Sequence, residues 1–391
     1  MNLILVLLAA PLLLATTYLF LLTVLSGRRS APICAQRDQK FLIIVPAHDE
    51  AAGIARTVES LKALDWPADQ FRTLVVADNC TDDTASIARE AGAQVLERND
   101  ANLRGKGYAL KLAYEHALEE SWADAVVVID ADTDTSPLML RAFAARLEQG
   151  AGAVQAFYGV RNPMASWRTR LSTIALAIFH RLRGRGRERL GLSSGLRGNG
   201  MCFALETLRK VPHRAFSLVE DLEYGIELGR AGIRVWYADE AEVLADMVSG
   251  EKAARSQRER WEGGRLRMAQ THGPRLLADA LRQRSAVLLD LAADVLTPPL
   301  GYIGLGSLLL VLLAFGLLML QLVSVVVALI AVVPLLIVLL HVARGVSLSG
   351  LGLRAWLDIA MAPFYVLWKL SLMLHRKAGK KDDWIRTQRE P

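Results

Sequence analysis

Two aspartates, Asp130 and Asp132, directly follow a short run of apolar residues from Val126 to Ile129. A short, uniformly apolar and β-branched run is typical of a strand buried on both faces of a mostly parallel sheet. Ligands of open α/β sheets bind beyond the carboxyl ends of the strands, so both carboxylates would lie at such an edge. Two carboxylates this close together favour a hard divalent cation that also bridges a substrate's phosphates. The alternative is that they only cap the turn before Pro137, and we interpret the nearby Asp134 as a loop or capping residue.

Lys106 and the pair Glu220-Asp221 are further candidates for chemistry, because each begins a stretch with helical spacing. Lys106 lies between two glycines, where backbone amides and the helix dipole would help it to bind a phosphate. A carboxylate of the pair could accept the proton of an attacking hydroxyl group. The alternatives are that Lys106 is a solvated loop lysine and that the two acids only stabilise the first turn of a helix.

Gln257, Arg260 and Trp261 lie within little more than one helical turn, so one helix face could present all three to one site. Gln and Arg side chains could hold a diphosphate, and Trp could stack on the apolar face of a sugar. The alternative is a basic interfacial helix with a Trp anchor. The Gly-Asn-Gly sequence of residues 198–200 could line a pocket but is also typical of an ordinary turn.

The elements that must position these residues are strands that alternate with helices over the first half of the chain. The apolar runs Phe41 to Val45 and Thr73 to Ala77 end at Pro46 and Asp78, and a stretch with helical spacing lies between them. This alternation predicts a doubly wound, mainly parallel α/β domain.

The apolar residues are concentrated at the two ends of the 391-residue chain. Leu3 to Leu25 is long enough to cross a bilayer, and the Arg28-Arg29 pair that follows it predicts a cytosolic middle part. The formal net charge of +6 comes with basic residues near apolar segments, which favours an anionic membrane surface over nucleic acid as a partner. Three cysteines without metal-ligand spacing indicate reduced, mostly structural thiols.

The carboxyl-terminal third is also apolar. Leu300 to Leu320 and Val323 to Val342 are predicted spans, and Ala286 to Leu296 is predicted to be an interfacial helix because it contains two aspartates. Trp356 to Leu374 contains charged residues and is followed by lysines, so we expect an interfacial or re-entrant segment. The sequence therefore predicts three spans and a cytosolic carboxyl terminus.

Seven motifs occur in one order along the chain: VPAHDE, VVADNCTDDT, GKGYAL, DAD, GNG, ED and QRERW. In this order they resemble the membrane-integrated family 2 glycosyltransferases, a class that includes cellulose, chitin and hyaluronan synthases. The resemblance covers roughly Phe41 to Trp261. It implies a GT-A-like, Rossmann-related α/β fold with a mostly parallel sheet and flanking helices, with transmembrane helices added at both ends.

The resemblance also implies site residues and a cofactor. Asp221 would be the general base, and Asp130 and Asp132 would hold Mg²⁺ or Mn²⁺, with Asp132 the direct ligand. The residues implied to bind a UDP-sugar donor are Pro46, Ala47, Glu50, Asp78, Lys106, Asp130, Gln257 and Arg260. The residues implied to bind the acceptor are Gly198, Asn199, Gly200, Glu220 and Trp261.

We expect an inverting, metal-dependent enzyme that moves a sugar from a UDP-sugar to a membrane lipid or lipid-linked saccharide during surface-glycan assembly. Two alternatives stay open: a processive β-glycan synthase, for which three spans are few, and a non-catalytic scaffold subunit that binds nucleotide-sugar. A homo-oligomer or a synthase complex also stays open. The expected location is a bacterial inner membrane. The expected parts are a transmembrane helix (1–27), a cytosolic glycosyltransferase domain (38–270), interfacial helices (271–297), two transmembrane helices (298–345) and an interfacial or re-entrant helix with a basic tail (346–391).

Overall fold

An eight-stranded sheet lies at the centre of the computed structural model, which describes residues 1–247 and 251–360, with only the backbone for residues 251–262. The order of the strands in the sheet is β3-β2-β1-β4-β7-β6-β8-β5. The strands are β1 Phe41–Ala47, β2 Phe71–Asp78, β3 Gln94–Arg98, β4 Ala125–Val128, β5 Thr133–Thr135, β6 Ala153–Val160, β7 Met201–Ala204 and β8 Val235–Ala245.

Helices cover both faces of the sheet and extend beyond it. The α-helices are α1 Asn2–Val24, α2 Ile54–Lys62, α3 Thr84–Glu90, α4 Lys106–Glu120, α5 Met139–Leu147, α6 Trp167–Leu176, α7 Arg183–Arg189, α8 Leu205–Lys210, α9 Glu220–Arg230, α10 Glu251–Gln283, α11 Ala286–Leu296, α12 Leu300–Met319, α13 Val325–Leu348 and α14 Arg354–Ala360. A π-helical turn, Ala177–Leu182, joins α6 to α7.

The first half of the sheet confirms the predicted parallel arrangement. Strand β1 pairs in parallel with β2 and β4, and β2 pairs in parallel with β3. All residues of β4 are buried, as its uniformly apolar sequence predicts. On β1, Ile43 and Val45 pack into one hydrophobic layer while Leu42 and Ile44 pack into the other, because successive side chains point to opposite faces.

Two short strands were not predicted. Strand β7 lies antiparallel between β4 and β6, and β5 lies antiparallel to β8 at the edge. The interpretation of Asp134 as a loop or capping residue was wrong, because Asp134 lies in β5 and forms ion pairs with Arg161 at 3.0 Å and Arg56 at 3.5 Å. A strand as short and polar as Thr133–Thr135 forms through its pairing with β8, which local sequence patterns do not show.

Three helices of the described residues are long and apolar enough to cross a membrane: Asn2–Val24, Leu300–Met319 and Val325–Leu348. They pack on one another through residues such as Leu5 of α1, Leu310 of α12 and Ala331 of α13. The predicted segment Trp356 to Leu374 lies outside the described residues beyond residue 360. Its described start belongs to α14, where Asp358 pairs with Arg170 of α6 at 2.7 Å.

Candidate active site

Asp78 ends β2 at the carboxyl edge of the sheet, next to the end of β1. Its buried carboxylate accepts hydrogen bonds from Arg98 Nη1 at 2.6 Å and from Asn79 Nδ2 at 2.9 Å. Burial raises the pKa of Asp78, although the guanidinium of Arg98 opposes this rise. His48 follows β1 directly, and its ring Nδ1 lies 2.7 Å from the carbonyl oxygen of Asp78. The ends of the two strands are thus joined, and the carboxylate is held in one orientation.

The other residues predicted at the end of β1 lie beside this carboxylate. Pro46 and Ala47 are the last two residues of β1, and Ala47 is buried. Glu50 follows in the turn, and its backbone N–H donates to Thr84 Oγ1 at 2.7 Å. The structure therefore places Pro46, Ala47 and Glu50 on the same edge as Asp78, and their contact with a donor stays a prediction.

Lys106 begins α4 at the centre of the edge. The following residue must be glycine, because a Cβ atom on Gly107 would lie 2.4 Å from the Ala215 carbonyl oxygen. The Lys106 ammonium donates to the carboxylate of Asp130 and, at 2.6 Å, to the carbonyl oxygen of Gly198. Burial favours the neutral amine, but nearby carboxylates, first that of Asp130, raise the pKa of Lys106. Lys106 therefore links α4, the loop after β4 and the loop before β7.

The acidic pair, Glu220 and Asp221, begins α9 beside this lysine. Glu220 Oε1 lies 4.0 Å from Lys106 Nζ, and Asp221 Oδ1 accepts from the backbone N–H of Leu222 at 2.8 Å. Burial raises the pKa of Asp221 and raises the pKa of Glu220 to about 7, while the Lys106 ammonium opposes both rises. A carboxyl group whose pKa approaches the working pH suits a general base.

Gly198 keeps the space beside Asp221 open. Its φ is +78°, and a Cβ atom there would lie 3.5 Å from Asp221 Oδ2 and 3.7 Å from Lys106 Nζ. This positive φ strains any residue with a side chain. Gly200 is also constrained, since a Cβ atom there would lie 2.8 Å from Val243 Cγ2. The predicted acceptor role of both glycines stays a prediction.

Asn199 is fully buried, and its side-chain amide bonds within the protein. Its Oδ1 accepts from the backbone N–H of Asp130 at 3.1 Å, and its Nδ2 donates to Thr133 Oγ1 at 2.8 Å. On the other side of the same loop, Thr57 Oγ1 donates to the Ala131 carbonyl oxygen at 2.8 Å. Asn199 thus fixes the loop that carries Asp130 and Asp132. Its acceptor-binding role stays a prediction.

The carboxylates of Asp130 and Asp132 fit a hard divalent cation. Both belong to the loop fixed by Asn199 and Thr57, and Asp132 is buried, with 8% of its surface exposed. Oxygen ligands of this kind are those that Mg²⁺ and Mn²⁺ prefer. Asp130 also contacts the Lys106 ammonium. The roles of Asp130 and Asp132 as metal ligands, with Asp132 as the direct ligand, stay predictions.

A separate group of candidate ligands among the described residues is Asp49, Cys80 and Asp82, whose donor atoms lie within 4.8 Å of one another. Asp49 Oδ1 accepts from the Thr81 backbone N–H at 2.6 Å, and Asp82 Oδ2 accepts from the Ala51 backbone N–H at 3.1 Å. These hydrogen bonds stabilise the turns after β1 and β2. Three further residues were predicted at the site: Gln257, Arg260 and Trp261. All three belong to α10, where the structure describes their backbone but not their side chains.

The model of the family described as "Glycosyltransferase like family 2" matches residues 38–264, which is more than half of the chain. The chain belongs to glycosyltransferase family 2. It is therefore a glycosyltransferase, and the fold predicted from the seven motifs is confirmed as GT-A-like.

Several known proteins resemble this family member. The β-monoglucosyldiacylglycerol synthase of Synechocystis sp. is 28% identical over 230 residues, covering 57% of this chain and 47% of that protein. The enzyme of the same name from Nostoc sp. is 29% identical over 166 residues, covering 40% of this chain and 34% of that protein. The chain spans about half or less of the length of these curated relatives.

The solved structure of the mannosyltransferase PcManGT from Pyrobaculum calidifontis, in complex with GDP-mannose and Mn²⁺, superposes with a TM-score of 0.55 and 17% sequence identity. The match covers 95% of this chain and 94% of that chain. At this identity the likeness concerns the fold alone, and it extends over the membrane-type helices as well as the sheet.

Two site residues of this glycosyltransferase were missed from the sequence. Arg98 faces Asp78 because the two are register partners on the parallel strands β3 and β2, which a register argument could have found. Arg197 lies next to Gly198, and its charge lowers the pKa of Asp221 against the effect of burial. No spacing signal identifies Arg197, because its neighbours come from distant parts of the chain.

Proposed function

We propose that this family 2 enzyme is an inverting, metal-dependent glycosyltransferase that moves a hexose or N-acetylhexosamine from a UDP-sugar to a hydroxyl group of a membrane lipid or lipid-linked saccharide. The observation that carries the proposal is the cluster of Lys106, Asp130, Glu220 and Asp221 at one edge of the sheet. The cluster combines a carboxylate suited to proton transfer with the loop suited to the donor's diphosphate.

In the proposed reaction, a carboxylate oxygen of Asp221 accepts the proton of the acceptor hydroxyl group. The acceptor oxygen forms a bond to the anomeric carbon as the bond from that carbon to UDP breaks, and UDP leaves with the electron pair. Attack from the side opposite UDP inverts the anomeric configuration. A divalent cation held by Asp132, with Asp130 nearby, would supply positive charge that stabilises the leaving diphosphate.

Other residues of the site bind and orient. Asp78, held by Arg98, would accept the N–H of the uracil ring, since a carboxylate is an acceptor of the right kind. The half-buried ion pair of Lys106 and Asp130 would orient the loop that faces the diphosphate. Three apolar helices suited to a bilayer, together with two relatives named as synthases of a glycosyl lipid, support a lipid acceptor and a multi-pass protein. The Arg28-Arg29 pair after α1 supports a catalytic domain in the cytosol.

The test uses the full chain in membranes with Mg²⁺ or Mn²⁺ and labelled UDP-sugars, with GDP-mannose as a further donor. Asp221→Asn preserves the size of the side chain but removes the base, so we expect transfer to fall by about 100-fold or more. The exposed Asp69 supplies the matched control, Asp69→Asn, which should transfer at the wild-type rate. Near wild-type transfer by Asp221→Asn would show that the base is another residue.

The product separates the alternatives. Label that enters organic solvent supports the lipid acceptor, whereas label in a high-mass insoluble product would show a processive synthase. Metal-dependent UDP binding without transfer to any acceptor would instead support a scaffold subunit. Preferred use of GDP-mannose would overturn the UDP assignment while leaving the base assignment intact.

A further inference from the structure

Four arginines converge between the catalytic domain and the apolar helices. The arginine cluster consists of Arg183 and Arg187 of α7, Arg197 of the following loop and Arg265 of α10, together with Asp290 and Asp294 of α11. The sequence showed only a basic run and two acids in an apolar helix. The fold brings them together because α11 packs against α9 and α10 on this side of the domain.

One of the four arginines is fully neutralised. The Nε atom of Arg187 lies 3.1 Å from Asp290 Oδ2, and its Nη2 atom lies 2.7 Å from Asp294 Oδ1. The hydroxyl group of Tyr18 in α1 donates to Asp290 Oδ1 at 2.8 Å and accepts from Arg187 Nη2 at 2.6 Å. This network pairs Arg187 with both carboxylates, although Asp290 Oδ2 has no hydrogen-bond partner among the described residues.

The other three guanidiniums surround one aromatic ring. Their Cζ atoms lie 5.1, 4.3 and 5.1 Å from the centre of the Phe179 ring, for Arg183, Arg197 and Arg265 respectively. Among the carboxylates of the described residues, Arg183 and Arg265 reach the already shared Asp294 alone, at 3.3 and 3.4 Å. Among the described residues, no carboxylate lies within 4.0 Å of the Arg197 guanidinium, and the Nε of Arg183, a residue only 4% exposed, has no hydrogen-bond partner.

The cluster therefore carries more positive than negative charge, with Arg183 and Arg187 buried and Arg197 and Arg265 half-buried. Burial, together with the neighbouring guanidiniums, lowers the pKa of Arg183 and of Arg197 to about 10. The same guanidiniums, first that of Arg187, outweigh burial and hold the pKa of Asp294 well below its usual range. Buried cations without matching anions destabilise a protein, so an additional anion would be bound favourably here.

The position of the cluster indicates whether such an anion would belong to the donor or to the acceptor. Arg197 directly precedes Gly198, which lies beside Asp221, and the charge of Asp221 acts on Arg197. On the opposite side, α11 leads into the candidate span α12, and Tyr18 belongs to the candidate span α1. An anion in the cluster would thus lie between the lipid-facing helices and the proposed base.

We propose that the arginine cluster binds a phosphate group of the lipid acceptor while the acceptor's hydroxyl group faces Asp221. Guanidinium groups recognise phosphate oxygens through paired, charge-assisted hydrogen bonds. Among the described residues, Arg183 Nε has no hydrogen-bond partner, and Arg197, whose Nη2 donates to the Ser194 carbonyl oxygen at 2.9 Å, has no carboxylate partner. The phosphate takes no part in bond exchange, since Asp221 accepts the hydroxyl proton and UDP leaves as described above. This inference rests on the proposed function. A phosphodiester head group and the diphosphate of a lipid-linked saccharide share this chemistry.

The test measures binding and transfer separately with the full chain in neutral detergent micelles. Three lipids are compared: dioleoylphosphatidylglycerol, which has hydroxyl groups and a phosphodiester; a polyprenyl diphosphate saccharide; and dioleoylglycerol, which has only a hydroxyl group. We expect at least one phosphate-bearing lipid to raise the unfolding midpoint, and to be bound about 10- to 100-fold more tightly than dioleoylglycerol. The lipid that does so identifies the source of the phosphate.

Arg197→Gln should lower the affinity for that lipid about 10- to 100-fold and leave the KM for the donor within about threefold. Arg197→Lys keeps the charge and should retain part of the affinity. The exposed Arg28 follows α1, and Arg28→Gln controls for general attraction to anionic micelles. Melting curves identify any variant that fails to fold. If Arg197→Gln does not fold, the lipid affinity of Arg197→Lys is compared with that of the wild type instead.

Three outcomes would overturn the inference. The first is that the wild type binds dioleoylglycerol as tightly as the phosphate-bearing lipids, or more tightly. The second is that Arg28→Gln loses as much lipid affinity as Arg197→Gln. The third is that Arg197→Gln raises the KM for the donor and leaves the affinity for the lipid unchanged. The last outcome would assign the cluster to the donor's diphosphate. Sugar transfer that depends on Asp221 but prefers dioleoylglycerol would refute this inference alone, whereas lipid binding without any transfer would refute the proposed function.

Discussion

Replacement of Arg187 by methionine should destabilise the protein severely, because Arg187 is buried between Asp290 and Asp294. After the replacement, Asp294 still has Arg183 at 3.3 Å and Arg265 at 3.4 Å. Asp290 keeps only the Tyr18 hydroxyl group at 2.8 Å among its described partners. One uncompensated buried carboxylate, rather than two, therefore sets the cost, and loss of one partner of a buried pair costs about 3–5 kcal/mol.

The assay is unfolding of the purified chain in detergent, followed by tryptophan fluorescence. For a domain of this size, the expected loss lowers the unfolding midpoint by at least about 6 °C. The exposed Arg189, on the same helix, supplies the control: Arg189→Met should cost less than about 1 kcal/mol. Adding Asp290→Asn to Arg187→Met removes the stranded charge but keeps an acceptor for Tyr18, so about 2 kcal/mol should be recovered.

The pH dependence gives an independent check on the same reasoning. Burial already raises the pKa of Asp290, and loss of Arg187, which opposes that rise, would raise the pKa further. Between the unfolded pKa of about 3.9 and the raised folded pKa, the folded variant binds a proton that the unfolded chain does not bind. Stability then falls as the pH rises through this window, so the deficit of Arg187→Met relative to the wild type should be larger at pH 8 than at pH 5. An equal deficit at both pH values, or no recovery in the double variant, would refute the argument.

Further predictions concern the base, the central lysine and the helix packing. Because Asp221 must be deprotonated to accept the proton and burial raises its pKa, transfer should rise with pH through a limb above the ordinary pKa of an aspartate, about 3.9; a limb at or below that value in a pH–rate profile would contradict this. Lys106→Met should lower kcat about 100-fold and move that limb to higher pH, because the Lys106 ammonium opposes the rise in the pKa of the acidic pair. Lys111 is exposed, and Lys111→Met should change neither kcat nor the limb. Gly345→Ala in α13 would place a Cβ atom 2.0 Å from Ile178 Cγ1, so we expect the free energy of unfolding to fall by about 1–3 kcal/mol or more. Gly316→Ala should be tolerated, because no atom of the described residues, apart from the backbone of its own helix, lies within 4 Å of its Cβ position.

Local patterns were sufficient for the parallel half of the sheet and for the apolar helices. The runs that became β1, β2 and β4 are short, apolar and β-branched, and a strand buried on both faces requires such residues. The helices α1, α12 and α13 were found because crossing a bilayer needs a long apolar segment. The candidate site residues were proposed because they follow strand ends or begin helices, and the structure places Asp78, Lys106, Asp130 and Asp221 at such positions.

Other parts depended on contacts between distant residues. The Arg183–Arg189 segment contains two glycines, which local patterns do not favour in a helix, yet it forms α7. Gly184 and Gly186 are needed there because Cβ atoms would lie 3.0 Å from the Tyr237 ring and 2.9 Å from the Leu22 carbonyl oxygen. Close packing of this kind overrides the low helix propensity of glycine, and a single sequence does not show it.

The sequence by itself determined the family and the GT-A-like fold and identified the acidic residues of the candidate site, because those features follow from residue types and short-range spacing. Only the tertiary structure decided which charges meet: Lys106 with Asp130, Arg98 with Asp78, and the arginine cluster with Asp290 and Asp294. The physical reason is that the pKa of a carboxyl group, and the need of a buried guanidinium for an anion, depend on burial and on distances of a few ångströms. Those distances join segments that lie tens to hundreds of residues apart in the chain.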